Sequence, residues 1–201
     1  MYTEVNQELS TQKIHLFITT FSIFKDISSN LKINVREGYS TRMWQYKQLE
    51  ELSAKDLHLI LKERTKVFVV EQAAAYQEVD DIDLRATHLV KRCKDTVHAY
   101  CRVYLQDGKV RIGRVLVPEH CRNVGHGREL MQVALNYITV RYPKREVQIQ
   151  AEAYLKDFYE SFGFELISDI YYEDDIAHYD MLYRNQQQVE AQSLKSVNVS
   201  K

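Results

Sequence analysis

The sequence predicts a mixed α/β (α+β) domain: a mostly antiparallel β-sheet flanked by helices, with one parallel strand pair inside it. Three observations carry that expectation. Two apolar, β-branched stretches are joined by Asp107-Gly108, a pair that supplies the turn geometry of a tight antiparallel hairpin. Through residues 110–151 a strand, a long amphipathic helix and another strand occur in that order, the connection a parallel pair requires. A chain of 201 residues suits one domain with tails and can bury a substantial core.

Residues 1–42 show no periodic continuity with the rest of the chain. Their apolar stretch, residues 14–24, is well short of the ~20 residues that span a bilayer. Glu4 and Glu8 precede it, Lys13 is its only basic neighbour and no small-residue cleavage pattern comes after it, so a secretory signal is not expected either. The tail 185–201 is polar, lacks aromatics and carries Gln186-Gln187-Gln188. The domain is therefore expected over residues 43–184, with an N-terminal extension and a peripheral tail.

Within that span a strand is predicted at residues 44–47. A helix is predicted next from about Ala54, with Ser53 and Asp56 as its capping signature before Leu57, Ile60 and Leu61. It runs toward Val67-Phe68-Val69-Val70, where β-branched and aromatic residues blur the pattern. The acidic loop holding Glu78, Asp80, Asp81 and Asp83 is expected to face water. Strands are predicted at 86–91, 98–105 and 110–117, the last ended by Pro118. Leu130, Met131, Ala134, Tyr137 and Ile138, spaced by three or four residues, give the next helix an apolar face to lay on the sheet. A strand at 147–151, a short helix through Leu155, Phe158 and Phe162 closed by Gly163, and strands at 164–172 and 177–183 complete the set.

Composition removes several function classes. Lysines and arginines number 27 against 28 acidic residues, for a formal charge of −1, and no basic run offers a nucleic-acid footprint. The 3 cysteines, Cys93, Cys101 and Cys121, lack C-x-x-C spacing, so neither a disulfide framework nor a thiolate zinc site is expected, and a reducing, cytoplasmic setting is the simpler reading. No His or carboxylate spacing resembles a metal site.

The most informative stretch is Arg122-Asn123-Val124-Gly125-His126-Gly127-Arg128, placed between a strand and the start of a helix. Amides there have no intrahelical partner, and the helix dipole adds positive potential, so an anionic phosphate is stabilised. Two rival phosphate loops fail. A Walker loop needs Lys and then Ser or Thr after its second glycine, where this chain has Arg128 and Glu129. A dinucleotide fingerprint needs a small residue where Leu130 stands.

R-N-V-G-H-G resembles the R/Q-x-x-G-x-G/A signature of the GNAT superfamily of N-acetyltransferases. Residues 150–164, Q-A-E-A-Y-L-K-D-F-Y-E-S-F-G-F, are similar to that superfamily's later strand-helix-strand region. V-F-V-V-E-Q (67–72), Y-Q-E-V-D-D (76–81), I-G-R-V-L-V (112–117) and the 171–181 region resemble its ElaA-like branch. The resemblance covers about residues 43–184 and is absent from 1–42, so Met43 is expected to be the native start; detecting residues 1–42 in the native protein by mass spectrometry would refute that.

The resemblance implies acetyl-CoA, or a related acyl-CoA, as co-substrate. Its diphosphate would lie on the amides of Asn123, Val124, Gly125, His126, Gly127 and Arg128, with Arg122 adding charge, and its pantetheine on main-chain groups of Val115 and Val117. Tyr159 matches the tyrosine that protonates the departing thiolate in many members; a phenol with a pKa near ~10 can do this within hydrogen-bond reach. Glu71 is the first candidate for the base that deprotonates the amine, with His88 and His178 behind it as acceptor-side candidates. Cys121 has no His-and-acid arrangement around it in sequence, so direct transfer in a ternary complex is expected rather than an acyl-enzyme. The expected activity is transfer of an acyl group to a primary amine. Two alternatives stand: a non-catalytic acyl-CoA-binding sensor or interaction module, and an enzyme resembling acyl-homoserine-lactone synthases. The acceptor is a small amine or aminoacyl compound, and the 14 tyrosines leave a homodimer open.

Overall fold

In the computed structural model, which describes residues 43–184, local sequence signals and element boundaries largely coincide. The expectations for residues 1–42 and 185–201 lie outside the described residues. The chain runs β1 (Met43–Lys47), α1 (Ala54–Arg64), a π-helical stretch (Thr65–Glu71), β2 (Thr87–Cys93), β3 (Thr96–Gln106) and β4 (Lys109–Leu116). It continues through α2 (His126–Arg141), β5 (Val147–Glu152), α3 (Lys156–Glu160), β6 (Glu165–Leu166), β7 (Tyr171–Glu173) and β8 (Ile176–Tyr183). The strands form one 8-stranded sheet in the order β1-β2-β3-β4-β5-β8-β6, with β7 also paired to β8.

Local chemistry explains the joints. The Ser53 hydroxyl accepts the Asp56 amide at 3.1 Å and starts α1. Asp107 and Gly108 both take positive φ, 50° and 75°, which matches the twist of the β3–β4 hairpin. β4 and β5 are parallel, with α2 as the crossover between them. The core lies mainly under α2, where Leu130, Met131, Ala134 and Ile138 pack on Val103, Ile112, Ile149 and Met181. On the opposite face α1 and the π-helical stretch bring Ile60, Val67 and Phe68 against Val90, Tyr100 and Leu116.

Three expectations are corrected. The ambiguous 67–70 stretch is π-helix, with Val67 and Phe68 buried. The single strand expected at 164–172 is two short ones. Between them the Ser168 hydroxyl accepts the Asp180 amide at 2.8 Å, so a side chain takes a bond that the ladder would otherwise hold. The acidic loop is not a solvated turn. Arg64, fully buried, donates from Nε to Glu78 and from Nη1 to Asp83, each at 2.8 Å. Arg102 grips Asp80 through both terminal nitrogens, at 2.6 and 2.7 Å, and Arg114 reaches Glu78 at 2.7 Å. Only Asp81 of the four acids is left on the surface.

This network makes stability depend on pH. Burial alone would raise the Asp83 carboxyl, but hydrogen bonds and charge from Arg64 and Arg102 outweigh it and hold the group below the ordinary carboxylate range. At Asp80 the same opposition to burial comes from Arg102 and Arg114. Folded values below the unfolded ~3.9 mean that the stabilisation is fully present above about pH 4 and disappears as pH falls through the folded values. Replacing Arg64 by Leu takes one of two cations from each of the buried carboxylates Glu78 and Asp83, leaving Arg114 and Arg102 alone to hold them, and is expected to cost about 3 kcal/mol in urea unfolding at neutral pH. Asp83→Asn should instead flatten the acid limb, losing less stability between pH 5 and 2 than the wild type does.

Candidate active site

The glycine loop is built by an alternation of backbone signs. After the short turn Glu119–Cys121, Asn123 and Gly125 adopt left-handed φ values of 64° and 89°, and α2 begins at His126. Among the described residues the amides of Asn123 through Arg128 donate to no protein acceptor, and the first to be used is Glu129, which reaches the Gly125 carbonyl at 3.1 Å. A run of unused amides at a helix start is a concave, electropositive nest for an anion. The nest is anchored from below. Trp44 Nε1 donates to Glu129 at 2.8 Å, and buried Lys91 pairs with the other Glu129 oxygen, tying the first turn of α2 to β1 and β2.

β4 and β5 pair only at Val110–Val147 and Arg111–Gln148 and then separate. The cause is a bulge. Leu116 and Gly113, three residues apart, face Tyr100 and Arg102, two apart, and the surplus is absorbed at Arg114, whose φ is 52°. The Arg114 guanidinium is fixed by the Glu78 side chain and, at 2.8 Å, the Glu78 carbonyl. Beyond the bulge, Val115 of β4 and Val117 just past its end face a cleft rather than β5.

That cleft holds cavities of about 570 and 400 Å³. The larger runs along Val115, Leu116 and Val117 to Gly125 and Gly127; the smaller opens over Tyr104, Arg111, Gln148 and His178. They share Phe68, Gln72, Val115, Glu152, Leu155 and Tyr159. Tyr159, only 5% exposed, stands at this junction with its ring edge-on to Phe158 at 5.1 Å. Burial, with a smaller push from the Glu152 charge, raises its phenol above the usual range and keeps the proton on it.

Glu152, at the end of β5, is a site residue that sequence reasoning missed. Its Oε1 accepts the Gln72 amide at 2.6 Å, and burial together with the Glu152 carboxylate raises the neighbouring Tyr154 phenol. The available signal was its place in Q-A-E, where the strand meets the short helix. Glu71 lines the larger cavity but is engaged: it accepts Arg122 Nη2 at 2.6 Å, while Arg122 Nε donates to the Val117 carbonyl at 2.9 Å. The guanidinium expected to add charge for a diphosphate, and one carbonyl expected to meet pantetheine, are thus bonded to each other. Arg128 donates to Ser161 Oγ at 3.2 Å and lies over the Phe162 ring.

The two histidines part ways. His88 is 0% exposed and lines neither cavity. Its Nε2 faces the Asp83 carbonyl at 3.1 Å and its Nδ1 the Tyr100 hydroxyl at 2.7 Å, so Nε2 carries the proton and Tyr100 donates to Nδ1. Burial lowers its pKa and keeps it neutral. The acceptor-side expectation for His88 is corrected, because it has no surface to give a substrate. His178 does line the smaller cavity, directly across from Glu152 on β8, with Nδ1 donating to the Ile176 carbonyl at 2.8 Å and Nε2 left available.

Among the described residues no group of three His, Cys, Asp or Glu is arranged to hold a metal, no helix is long and apolar enough to cross a membrane, and no cysteine forms a disulfide. Gly125 offers a direct test of the loop. A Cβ there would meet nothing within 4 Å, so Gly125→Ala should cost about 1–2 kcal/mol from left-handed strain alone. Gly125→Asn, tolerated in that region, should recover part of the loss, as thermal melts would show.

A family profile described as acetyltransferase (GNAT) domain matches residues 46–184. Protein ElaA of Escherichia coli is 38% identical over 143 residues, which cover 69% of this chain and 94% of ElaA. A UPF0039 protein of Schizosaccharomyces pombe is 41% identical over 139 residues, 68% of this chain and 93% of its own length. Among solved structures, an acyl-CoA N-acyltransferase from Pseudomonas aeruginosa superposes with TM-score 0.69 at 36% identity, covering 72% of this chain and all of its own. The E. coli ElaA crystal structure superposes with TM-score 0.68, covering 71% of this chain and 99% of ElaA. Profile, sequence and fold agree over the same domain-length region, and the chain therefore belongs to the GNAT acetyltransferase family, among the relatives of ElaA.

Proposed function

We propose that the protein transfers an acyl group, acetyl from acetyl-CoA in the first instance, to a primary amine by direct attack within a ternary complex. The observation that carries this reading is the meeting of two cavities at one acid and one base, Tyr159 and Glu152. Family membership and the description of the P. aeruginosa relative as an acyl-CoA N-acyltransferase support it.

In this reading the CoA diphosphate sits on the amides of Asn123 through Arg128, and pantetheine runs along the β4 edge past Val117 and Val115. That places the thioester at the junction, while the amine arrives through the smaller cavity. An amine with a Lys-like pKa of ~10.4 is protonated at neutral pH and must lose a proton before attack. Glu152 accepts that proton, with Gln72 fixing its orientation; Glu71, held by Arg122, instead shapes the donor mouth. The nitrogen lone pair forms the C–N bond, the tetrahedral intermediate collapses with cleavage of the C–S bond, and Tyr159 gives its proton to the CoA thiolate. Glu152 passes its first proton to solvent and then takes the second one from the tetrahedral intermediate; one of these two protons returns to the Tyr159 phenolate, so each turnover releases one proton. The three thiols without a disulfide fit work in a reducing cytoplasm.

The test is thiol release from acetyl-CoA across amines, peptides and aminosugars. Tyr159→Phe and Glu152→Gln should each lower turnover by roughly 10²–10⁴-fold, the usual contribution of a positioned acid or base. Acetyl-CoA affinity by calorimetry should hardly change. Binding of acetyl-CoA with no acceptor-dependent release would favour a sensor, and unchanged turnover in Tyr159→Phe would remove that residue from the chemistry.

A further inference from the structure

The floor of the smaller cavity is the sheet face turned away from α2. Strand alternation puts Arg111 of β4, its neighbours Tyr104 on β3 and Gln148 on β5, and then Gln150 and Glu152 on this one face. Of the arginines lining the cavity, Arg102 and Arg114 are matched by Glu78, Asp80 and Asp83. The Arg111 guanidinium makes no hydrogen bond or ion pair among the described residues, and its Nε is buried without an acceptor. The Arg102 Nε is also bare, but that guanidinium is already held by two carboxylates. A guanidinium stays charged at any working pH and fits a carboxylate in two-point geometry, so Arg111 is a cation without its anion.

We propose that Arg111 receives a free carboxylate of the acceptor, and that the substrate is a peptide-like amine ending in that carboxylate. This rests on the acyl-transfer reading for the position of the reacting nitrogen, beside Glu152. The spacing sets the length. Arg111 pairs with Gln148, and Glu152 lies four residues further along β5, about 13 Å from Cα to Cα at strand rise. After allowance for the two side chains that reach into the gap, a di- or tripeptide, roughly 7–10 Å when extended, spans the remainder. Gln148 and Gln150 lie between the two ends and offer amide groups to a peptide backbone. Glu173, the last residue of β7, and Asp174, in the β7–β8 turn, line the same cavity. They attract the ammonium end and oppose a second acidic group, so one carboxylate is admitted, not several.

Alanine di- and tripeptides with free and with amidated C-termini provide the test, read by thiol release and, with CoA-saturated protein, by calorimetry. The wild type should prefer the acids by roughly ten- to hundredfold, the scale of a lost charge-assisted hydrogen bond. Arg111→Gln should erase that preference without weakening acetyl-CoA binding, and Arg111→Lys should keep part of it. Equal use and equal binding of acids and amides by the wild type overturns the proposal, whatever the variants do. Turnover of amides as good as that of acids would sink Arg111 and leave acyl transfer standing. Acid-selective binding lost in Arg111→Gln, with no thiol release for any amine, would do the reverse.

Discussion

The site exists because β4 is prevented from pairing with β5 along its full length. A strand in the middle of a sheet normally satisfies its amides and carbonyls on both sides, and opening it leaves polar main chain without partners. Here the opening is enforced by one non-glycine residue, Arg114, held at a positive φ by bonds to Glu78. Glu78 in turn is fixed by Arg64, so the bulge is tied to the buried ion network beneath it. The loop that carries these acids has Glu78, Asp80 and Asp83 all bonded to arginines. Its work is to keep two strands apart.

Around that separation each remaining part has a plain physical task. The left-handed residues Asn123 and Gly125 aim amides outward, and the lack of a side-chain cap on α2 leaves those amides without an acceptor among the described residues. The aromatic group of Phe158, Tyr159 and Phe164 excludes water around the phenol. Glu152 remains at the boundary between the chambers, partly exposed, where a carboxylate can exchange protons with solvent.

Local signals are readable in the sequence, and long-range pairings are not. The Asp107-Gly108 turn, the Ser53 cap, the helix stripe around Leu130 and the glycine loop each depend on residues within a few positions of one another, and each stands where the pattern puts it. The acidic loop reads as a solvated turn because its three arginines come from α1, β3 and β4, and nothing within the loop announces them. Glu71 looks available for the same reason, since Arg122 lies fifty-one residues away. His88 sits in an alternating strand whose pattern cannot tell which face will be sealed by α1. Ser168 breaks a strand that composition alone would continue.

The Glu71–Arg122 pair across the donor mouth carries one more consequence. On the proposed reading, a diphosphate arriving there would find the Arg122 guanidinium already neutralised, leaving Arg128 and the amide dipoles at contact range to hold it. With one of the loop's two guanidiniums spent on Glu71, such an entrance would pull less on stray polyanions over distance and would depend more on the fit of the amides to the ligand.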